Sequence, residues 1–346
     1  MAEQFGNRLP GLLAAWLAVL FLLVGCAEEE PSTVGELASL ADLSGKTVGV
    51  TSLAGPATLE ARYVLKAAYG LDASPAGGDV ALVEAPAESL PDLLRTGDID
   101  AAVLADLPAF TLLEEEDLYL LSHLTEEMRE LTDAPVMTSV LLTYPDTAAQ
   151  KRDALVELNR MLAESVTYFQ SNRDSVLEAV ASEQNVDRDF LAWWWDRHEL
   201  ALGGVSPEAQ QQLLDVWEAA KTLGEIETYP ELADVLFSQT EQGSTGAKSD
   251  RVTISLAVLD DPSRRAALYA IEQGIVRSDS VDVSVSYVPP SSLTDAVAAR
   301  QFDVIEAEPL AVPLGAASDL QFVILSGGFQ DLDGTLVFVR AERRSD

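Results

Sequence analysis

Gly45-Lys46-Thr47 is the first short stretch of this chain whose residue types suggest chemistry. Gly-Lys-Thr closes the phosphate-binding pattern G-x-x-x-x-G-K-[ST]. The position five before Gly45 is Leu40 rather than glycine, and Val48-Gly49-Val50 reads as a strand where a phosphate loop would open a helix. A nucleotide site is therefore not expected. Nucleophilic and metal chemistry also have few carriers. Cys26 is the only cysteine, His123 and His198 are the only histidines, and neither HExxH nor the nucleophile elbow G-x-S-x-G occurs. Both histidines are expected on helix or loop surfaces. The chain reads as a non-enzyme with no cofactor and no metal.

Cys26 has a different use. Residues 12–25, LLAAWLAVLFLLVG, form an unbroken apolar run behind a head carrying Glu3 and Arg8. The run is shorter than the roughly 20 residues that span a bilayer. It fits the core of an export signal. Leu23-Val24-Gly25-Cys26 resembles a bacterial lipobox, in which cleavage precedes a cysteine whose sulfur carries lipid. Residues 1–25 are read as a lipoprotein signal, Cys26 as the lipidated residue and 26–38 as a polar tether. This implies an extracytoplasmic protein anchored to the membrane through lipid.

The formal charge is −35, from 57 acidic and 22 basic residues, only five of them lysine. Such a surface repels nucleic acid, which is excluded as a partner. Hydrophobic residues make up 48% of the chain, too many for a disordered acidic protein. Acid excess with scarce lysine fits a surface suited to high salt, where screening removes self-repulsion.

The elements behind these residues alternate between strand and helix, the pattern of α/β layers. Strands are expected over 46–52, 80–85 and 99–104, with helices over 57–69 and 88–96 and after Pro108. The last third repeats the order: strands over 252–259, 281–288 and 302–306, helices over 264–273 and 292–300. "LPDLLRTGDIDAAVLADLP" can be laid on "LTDAVAARQFDVIEAEPLA" at an offset of 203 positions, bringing Leu90 onto Leu293, Asp92 onto Asp295 and Asp100 onto Asp303. Four helices are expected over the middle of the chain, one of them "DRDFLAWWWDRHELAL" with Trp193, Trp194 and Trp195 in a row. Three neighbours cannot share one helix face. Core packing is the main expected use of these rings. "VMTSVLLTY" (136–144) and "TLVFVR" (335–340) read as two hinge crossings.

"SLADLSGKTVGVTSLAG" (39–55), "LLRTGDIDAAVLADLPAF" (93–110), "ALYAIEQGI" (267–275) and "AVAARQFDV" (296–304) together resemble the substrate-binding proteins of ABC importers, in the branch for sulfonates, nitrate and thiamine-precursor pyrimidines. The resemblance covers most of 39–340. It implies an α/β fold of the two-lobed type II periplasmic-binding-protein kind, with two similar βαβ lobes, a hinge and a helical tail. One departure stands out. The lobe that comes second in that family comes first here, so the chain reads as a circular permutant. The expected organisation is a lobe over 39–145, a helical segment over 146–242, a linker "GSTGAKSD" over 243–250 and the other lobe over 251–346. A monomer that captures a small molecule and delivers it to an ABC permease is the function this implies. A ligand sensor, or an enzyme of thiamine-pyrimidine or chorismate type on the same fold, is the alternative.

In open α/β sheets ligands sit beyond the carboxyl ends of the strands. Five loops become candidates there: Thr51, Ser52 and Gly55 after the first strand; Asp106 after the third; Asp260, Asp261 and Ser263; Glu306 and Glu308; and Ser326 with Gly327. The first loop opens a helix and suits a polar or anionic group. No arginine lies in the five loops, whereas Asp106, Asp260, Glu306 and Glu308 do. A sulfonate or nitrate wants cationic donors. This lining favours an aminopyrimidine or another amine.

Overall fold

The computed structural model describes residues 37–238 and 251–341. The signal, Cys26, nearly all of the tether and the linker 243–250 lie outside those residues.

Gly45 adopts a left-handed backbone (φ 74°), which glycine tolerates, and turns the chain into β1 (Thr47–Val50). Lys46 pairs with Asp100 at 3.6 Å, and the second oxygen of Asp100 accepts the Thr47 N–H at 2.8 Å. The Gly-Lys-Thr stretch is a strand-opening turn. Gly55 then caps α1 (Pro56–Tyr69), where Pro56 occupies a first-turn position that needs no N–H. The chain continues through β2 (Ala81–Glu84), α2 (Leu90–Thr96), β3 (Ala101–Leu104), α3 (Asp106–Leu112), β4 (Leu118–His123) and α4 (Leu124–Thr132).

The single strand expected over 136–144 is two, β5 (Val136–Met137) and β6 (Val140–Thr143). A helical segment follows: α5 (Pro145–Gln150), α6 (Arg152–Ser171), α7 (Arg173–Gln184) and α8 (Arg188–Asp196), then β7 (His198–Leu200), α9 (Pro207–Leu223) and α10 (Leu232–Val235). The helix expected over 187–202 therefore stops at Asp196. Its last residues pair with a strand of the second crossing, and that ladder outweighs one more helical turn. The last third is β8 (Val252–Leu259), α11 (Pro262–Glu272), β9 (Val281–Val288), α12 (Pro290–Ala298), β10 (Val304–Ala307), α13 (Ala311–Ala317), β11 (Val323–Gly327), β12 (Phe329–Asp331) and β13 (Leu336–Arg340).

Two five-stranded sheets result, with orders β2-β1-β3-β13-β4 and β9-β8-β10-β6-β11. The arrangement is the same in both. The first three strands of each run parallel, and the fourth position is an antiparallel strand that arrives from the other half of the chain. β6 leaves the first lobe to join the second, and β13 leaves the second to join the first. The two crossings meet in a small sheet, where β12 pairs with β5 on one side and β7 on the other. This is a two-lobed α/β fold with two similar lobes joined by two crossings, the architecture expected from the sequence.

The aspartates matched at the 203 offset do the same work in each lobe. Asp303 accepts the Ser255 N–H of β8 at 2.9 Å and pairs with Lys151 at 2.8 Å, as Asp100 does with Thr47 and Lys46. Alternate residues of β13 face opposite ways: Val337 and Val339 join Val48, Val50 and Val64 in one core, Leu336 and Phe338 join Leu90 and Leu104 in another. The helical segment holds both lobes. On one side α9 buries Trp217 in the second lobe, where its indole N–H donates to the Pro309 carbonyl at 2.9 Å, and Glu225, just past the end of α9, pairs with Arg62 of α1. On the other, α8 packs on α11 and sets Phe190 and Trp193 against Phe110 of α3.

Candidate functional site

The turn after β8 begins the site in the second lobe. Asp261 caps α11 by accepting the Ser263 N–H at 2.8 Å, and the Ser263 hydroxyl also donates to it. This short cap aims the next residue, Arg264, back across the sheet. Its Nε and Nη2 both lie 3.2 Å from Glu306 Oε1, while Glu306 Oε2 accepts the Leu259 N–H at 3.0 Å. Glu306 is fully buried. Burial works against the charge of Arg264, but Glu306, Asp261 and Asp106 outweigh it and raise its pKa above the usual arginine value. Asp260 is half-exposed and pairs with Arg265 at 3.0 Å. The expectation of unpaired acids in this lobe thus needs correcting. The cations sit one and two residues beyond the loop and fold back onto Asp260 and Glu306.

In the first lobe Asp106 opens α3 with a left-handed backbone (φ 55°), a conformation that few non-glycine residues hold without outside support. Its support is the Trp194 indole N–H, which donates to Asp106 Oδ1 at 2.7 Å. Trp194 in turn stacks flat on His198, with ring centroids 3.6 Å apart and planes 2° from parallel. The Arg264 guanidinium lies 4.3 Å over Phe329 and 5.6 Å from the Trp194 ring. One chain of contacts therefore runs from Asp106 of one lobe through α8 to Arg264 and Glu306 of the other. His198 is buried, contrary to the surface position expected of it. It sits on β7 under the Trp194 ring; its Nδ1 donates to the Trp194 carbonyl at 2.8 Å and its Nε2 lies 3.9 Å from Asp331. The tryptophan run divides its rings: Trp194 and Trp195 are buried, and the half-buried Trp193 carries the Arg197 guanidinium at 4.6 Å.

Between the lobes lies a cavity of about 30 Å³, room for roughly two waters. Its wall is mostly apolar, with Leu59, Met128, Met137, Val216 and Leu310 among the lining residues, and among the described residues Glu60 and Glu308 are the only titratable ones there. Glu60 comes from α1 and is 5% exposed. The Thr125 and Thr335 hydroxyls lie between its carboxyl and that of Asp331. Asp331 is well supplied, with donors from both threonines and from the N–H groups of Asp333 and Gly334. Glu60 Oε1 has no partner at all. Such an orphan costs about 1–3 kcal/mol. Burial first, then the Asp331 charge, push the Glu60 pKa up to about 8. Burial also raises that of Asp331, against which its hydrogen bonds and His198 act. Glu308 keeps part of its surface in solvent, and the apolar wall around its carboxyl raises its pKa.

The expected loops fall into three groups. Residues 51–55 and 306–309 face each other, because Ala54 and Pro56 meet Glu308 and Pro309 around the cavity. Asp106 and the turn of Asp261 and Ser263 meet through Trp194 and Arg264. Ser326 and Gly327 stand apart. The Ser326 hydroxyl accepts the Gly203 N–H at 2.9 Å, and a Cβ on Gly327 would lie 2.8 Å from the Ala201 carbonyl oxygen. Within the first loop Thr51 is exposed, and the backbone donors are largely taken: Leu53 N–H by Glu84 at 2.7 Å and Gly55 N–H by the Ser52 carbonyl at 3.3 Å. Glu60, Arg264, Trp194, His198 and Asp331 were not anticipated. Glu60 alone had a legible signal, a charge four residues before Val64 on the apolar face of α1.

No family model and no curated protein matches the chain. Among solved structures it is similar to the periplasmic aliphatic sulphonate binding protein SsuA from Escherichia coli at 13% identity, covering 85% of this chain and 60% of that one, TM-score 0.29. It is similar to the alkanesulfonate-binding protein SsuA from Xanthomonas axonopodis pv. citri bound to MOPS at 12% identity, 85% and 64% coverage and TM-score 0.30. The phosphate-binding protein of a phosphate ABC transporter from Streptococcus pneumoniae gives 8%, 87% and 90%, and 0.31. The chain spans less than two thirds of the length of the two sulfonate-binding proteins. At such scores the description of the fold rests on the strand order of its two sheets.

Proposed function

We propose that this chain is an extracytoplasmic solute-binding lipoprotein, anchored through Cys26, that closes its two lobes on a small polar molecule and passes it to an ABC permease. The observation that carries the reading is the cavity between the lobes, apolar except for one carboxyl from each side. A mostly apolar lining with a few convergent polar groups is the common chemistry of a small-molecule site. A bound solute there would touch both lobes and stabilise their closure. Mass spectrometry of small molecules released from the purified protein tests this directly. A retained solute is expected, and its addition to stripped protein should quench or shift the fluorescence of Trp217 or Trp194, which sit beside the two lobe contacts. Absence of any retained or added solute that does so overturns the reading. Replacement of Cys26 by serine should release the protein from the membrane fraction.

The amine preference survives in altered form. Glu306 and Asp260 have their own cations, which leaves Glu60 and Glu308 as the acids that could receive an amine. Calorimetry with aminopyrimidine, amine and sulfonate ligands tests it, and binding of sulfonate alone would reverse it.

The swapped lobe order is part of the same proposal. Leu37 and Ala341 both bond to the start of β4: the Leu37 carbonyl accepts the Tyr119 hydroxyl at 2.6 Å, and the Ala341 N–H donates to Asp117 at 2.9 Å. At the other junction Arg152 donates to the Ser238 carbonyl and its neighbour Lys151 to the Thr253 carbonyl. Each pair of chain positions is close, which is what a permuted order requires.

A further inference from the structure

The solute-binding reading above leaves the chemistry of the captured group open, and the following inference rests on that reading. We propose that the cavity between the lobes holds an organic cation bearing N–H groups, an ammonium or amidinium head, with Glu60 of one lobe and Glu308 of the other as its acceptors. Glu60 Oε1 is an acceptor without a donor, buried and at the cavity wall. Buried acceptors are rarely left unmet, so the missing partner is a donor that enters the cavity. A donor carried by a cation would also offset the charges around it.

The opposite sign of ligand finds little there. Among the described residues no lysine or arginine lines the cavity. The start of α1 would be the natural seat for an anion. Yet Pro56 has no N–H, and the N–H groups of Leu53, Gly55 and Thr58 already bond to Glu84, Ser52 and Gly55. A cation without N–H groups would balance charge but leave Oε1 unmet. The volume, about 30 Å³, admits a head group and not a whole metabolite. The body of the ligand extends past Glu308, which is open to solvent.

Binding should carry a proton signature. The groups that face Glu60 are Asp331 on β12, with His198 of β7 behind it and Asp106 of α3 further off, Glu308 across the cavity, and the hydroxyls of Thr125 and Thr335. The titratable neighbours other than His198 are acids, and Glu60 Oε1 has no donor to hold a negative charge. It therefore holds a proton at neutral pH when the cavity lacks a cation. A cation takes the place of that proton, so about one proton is released per ligand at pH 7.

The test is calorimetry on the full-length protein in two buffers of different ionisation enthalpy, with propylammonium and acetamidinium as probes. Both are expected to bind with release of about one proton, whereas tetramethylammonium, 1-propanol and propanesulfonate are not expected to bind. Glu60→Gln should lose the proton release and bind at least tenfold more weakly. Glu308→Gln should bind more weakly and keep the release, which preserves the test if the Glu60 variant does not fold. Failure of both cationic probes, or proton release unchanged in Glu60→Gln, overturns the proposal. Capture of propanesulfonate or propanol instead overturns the cation alone and leaves the solute-binding reading standing; that reading falls only if no solute is retained.

Discussion

At the scale of single residues the decisive fact is which acids have partners. Glu306 has Arg264, Asp260 has Arg265, Asp331 has four donors, and Glu60 Oε1 has none. Sequence reasoning could locate the loops but not this distribution, because it depends on residues just outside each loop turning back. Arg264 follows Ser263 directly, and only the Asp261 cap decides that its side chain crosses to Glu306. Glu60 also has a consequence for stability. Its carboxyl titrates near the ordinary 4.5 when unfolded and at about 8 when folded, so the folded state holds the extra proton between those values. The stability this gives is complete below pH 4.5 and is lost as pH rises through about 8, at about 1.4 kcal/mol per pH unit for one group. Urea unfolding of ligand-free protein should therefore show a lower midpoint at pH 8 than at pH 6. Glu60→Gln, which cannot ionise, should reduce that difference; an unchanged difference would show that another group causes it.

At the scale of elements, the repeated order of strands and helices was legible because each lobe builds its first three strands locally. Asp100 and Asp303 fit the same slot in each lobe, and that shared demand explains why their registers match. What was not legible is what the crossings do. β5, β7 and β12 are each two or three residues long, too short for a period-2 pattern to emerge, and β7 lies at the end of a tryptophan-rich run with helical spacing. Their pairing depends on close approach of backbones from distant parts of the chain. Gly328 shows how tight this is. A Cβ there would lie 2.6 Å from the Ser139 carbonyl oxygen and closer still to its hydroxyl, and Ser139 Oγ accepts the Phe329 N–H at 3.0 Å. Gly328→Ala must push the two crossings apart. A loss of about 1–3 kcal/mol is expected, the usual range for overpacking. Equilibrium unfolding measures it, and a variant as stable as the parent would mean that the crossings yield without cost.

At the scale of the whole molecule two properties belong to no single element: the order of the lobes and the surface charge. If the order is a permutation, the fold should accept its reversal. A chain running 251–341, a short linker and then 37–238 joins ends that already meet at Asp117 and Tyr119, and opens the chain between the two bonds to Lys151 and Arg152. It should give the same circular dichroism and retain the same solutes; aggregation on purification would argue that the present order is needed for folding. The charge leads to a separate expectation. With 57 acids against 22 bases, cations are shared: Arg95 alone meets Asp92, Glu115 and Asp117. Salt acts on this surface in two directions. It weakens exposed ion pairs, each worth about 0–1 kcal/mol. It also weakens repulsion among the acids in excess, which amount to a net charge of −35 spread over the whole surface. The second effect should win, because every pair that forms still leaves that excess in place. Raising sodium chloride from 0.1 M to 1 M shortens the screening length from about 10 Å to about 3 Å. The melting temperature should rise over that range. Chloride is the better choice than sulfate, which would strengthen hydrophobic burial at the same time. Equal melting temperatures at the two concentrations would mean that the acids lie far enough apart, or near enough to their arginines, for self-repulsion to be small, and would remove the physical ground for reading this surface as one suited to high salt.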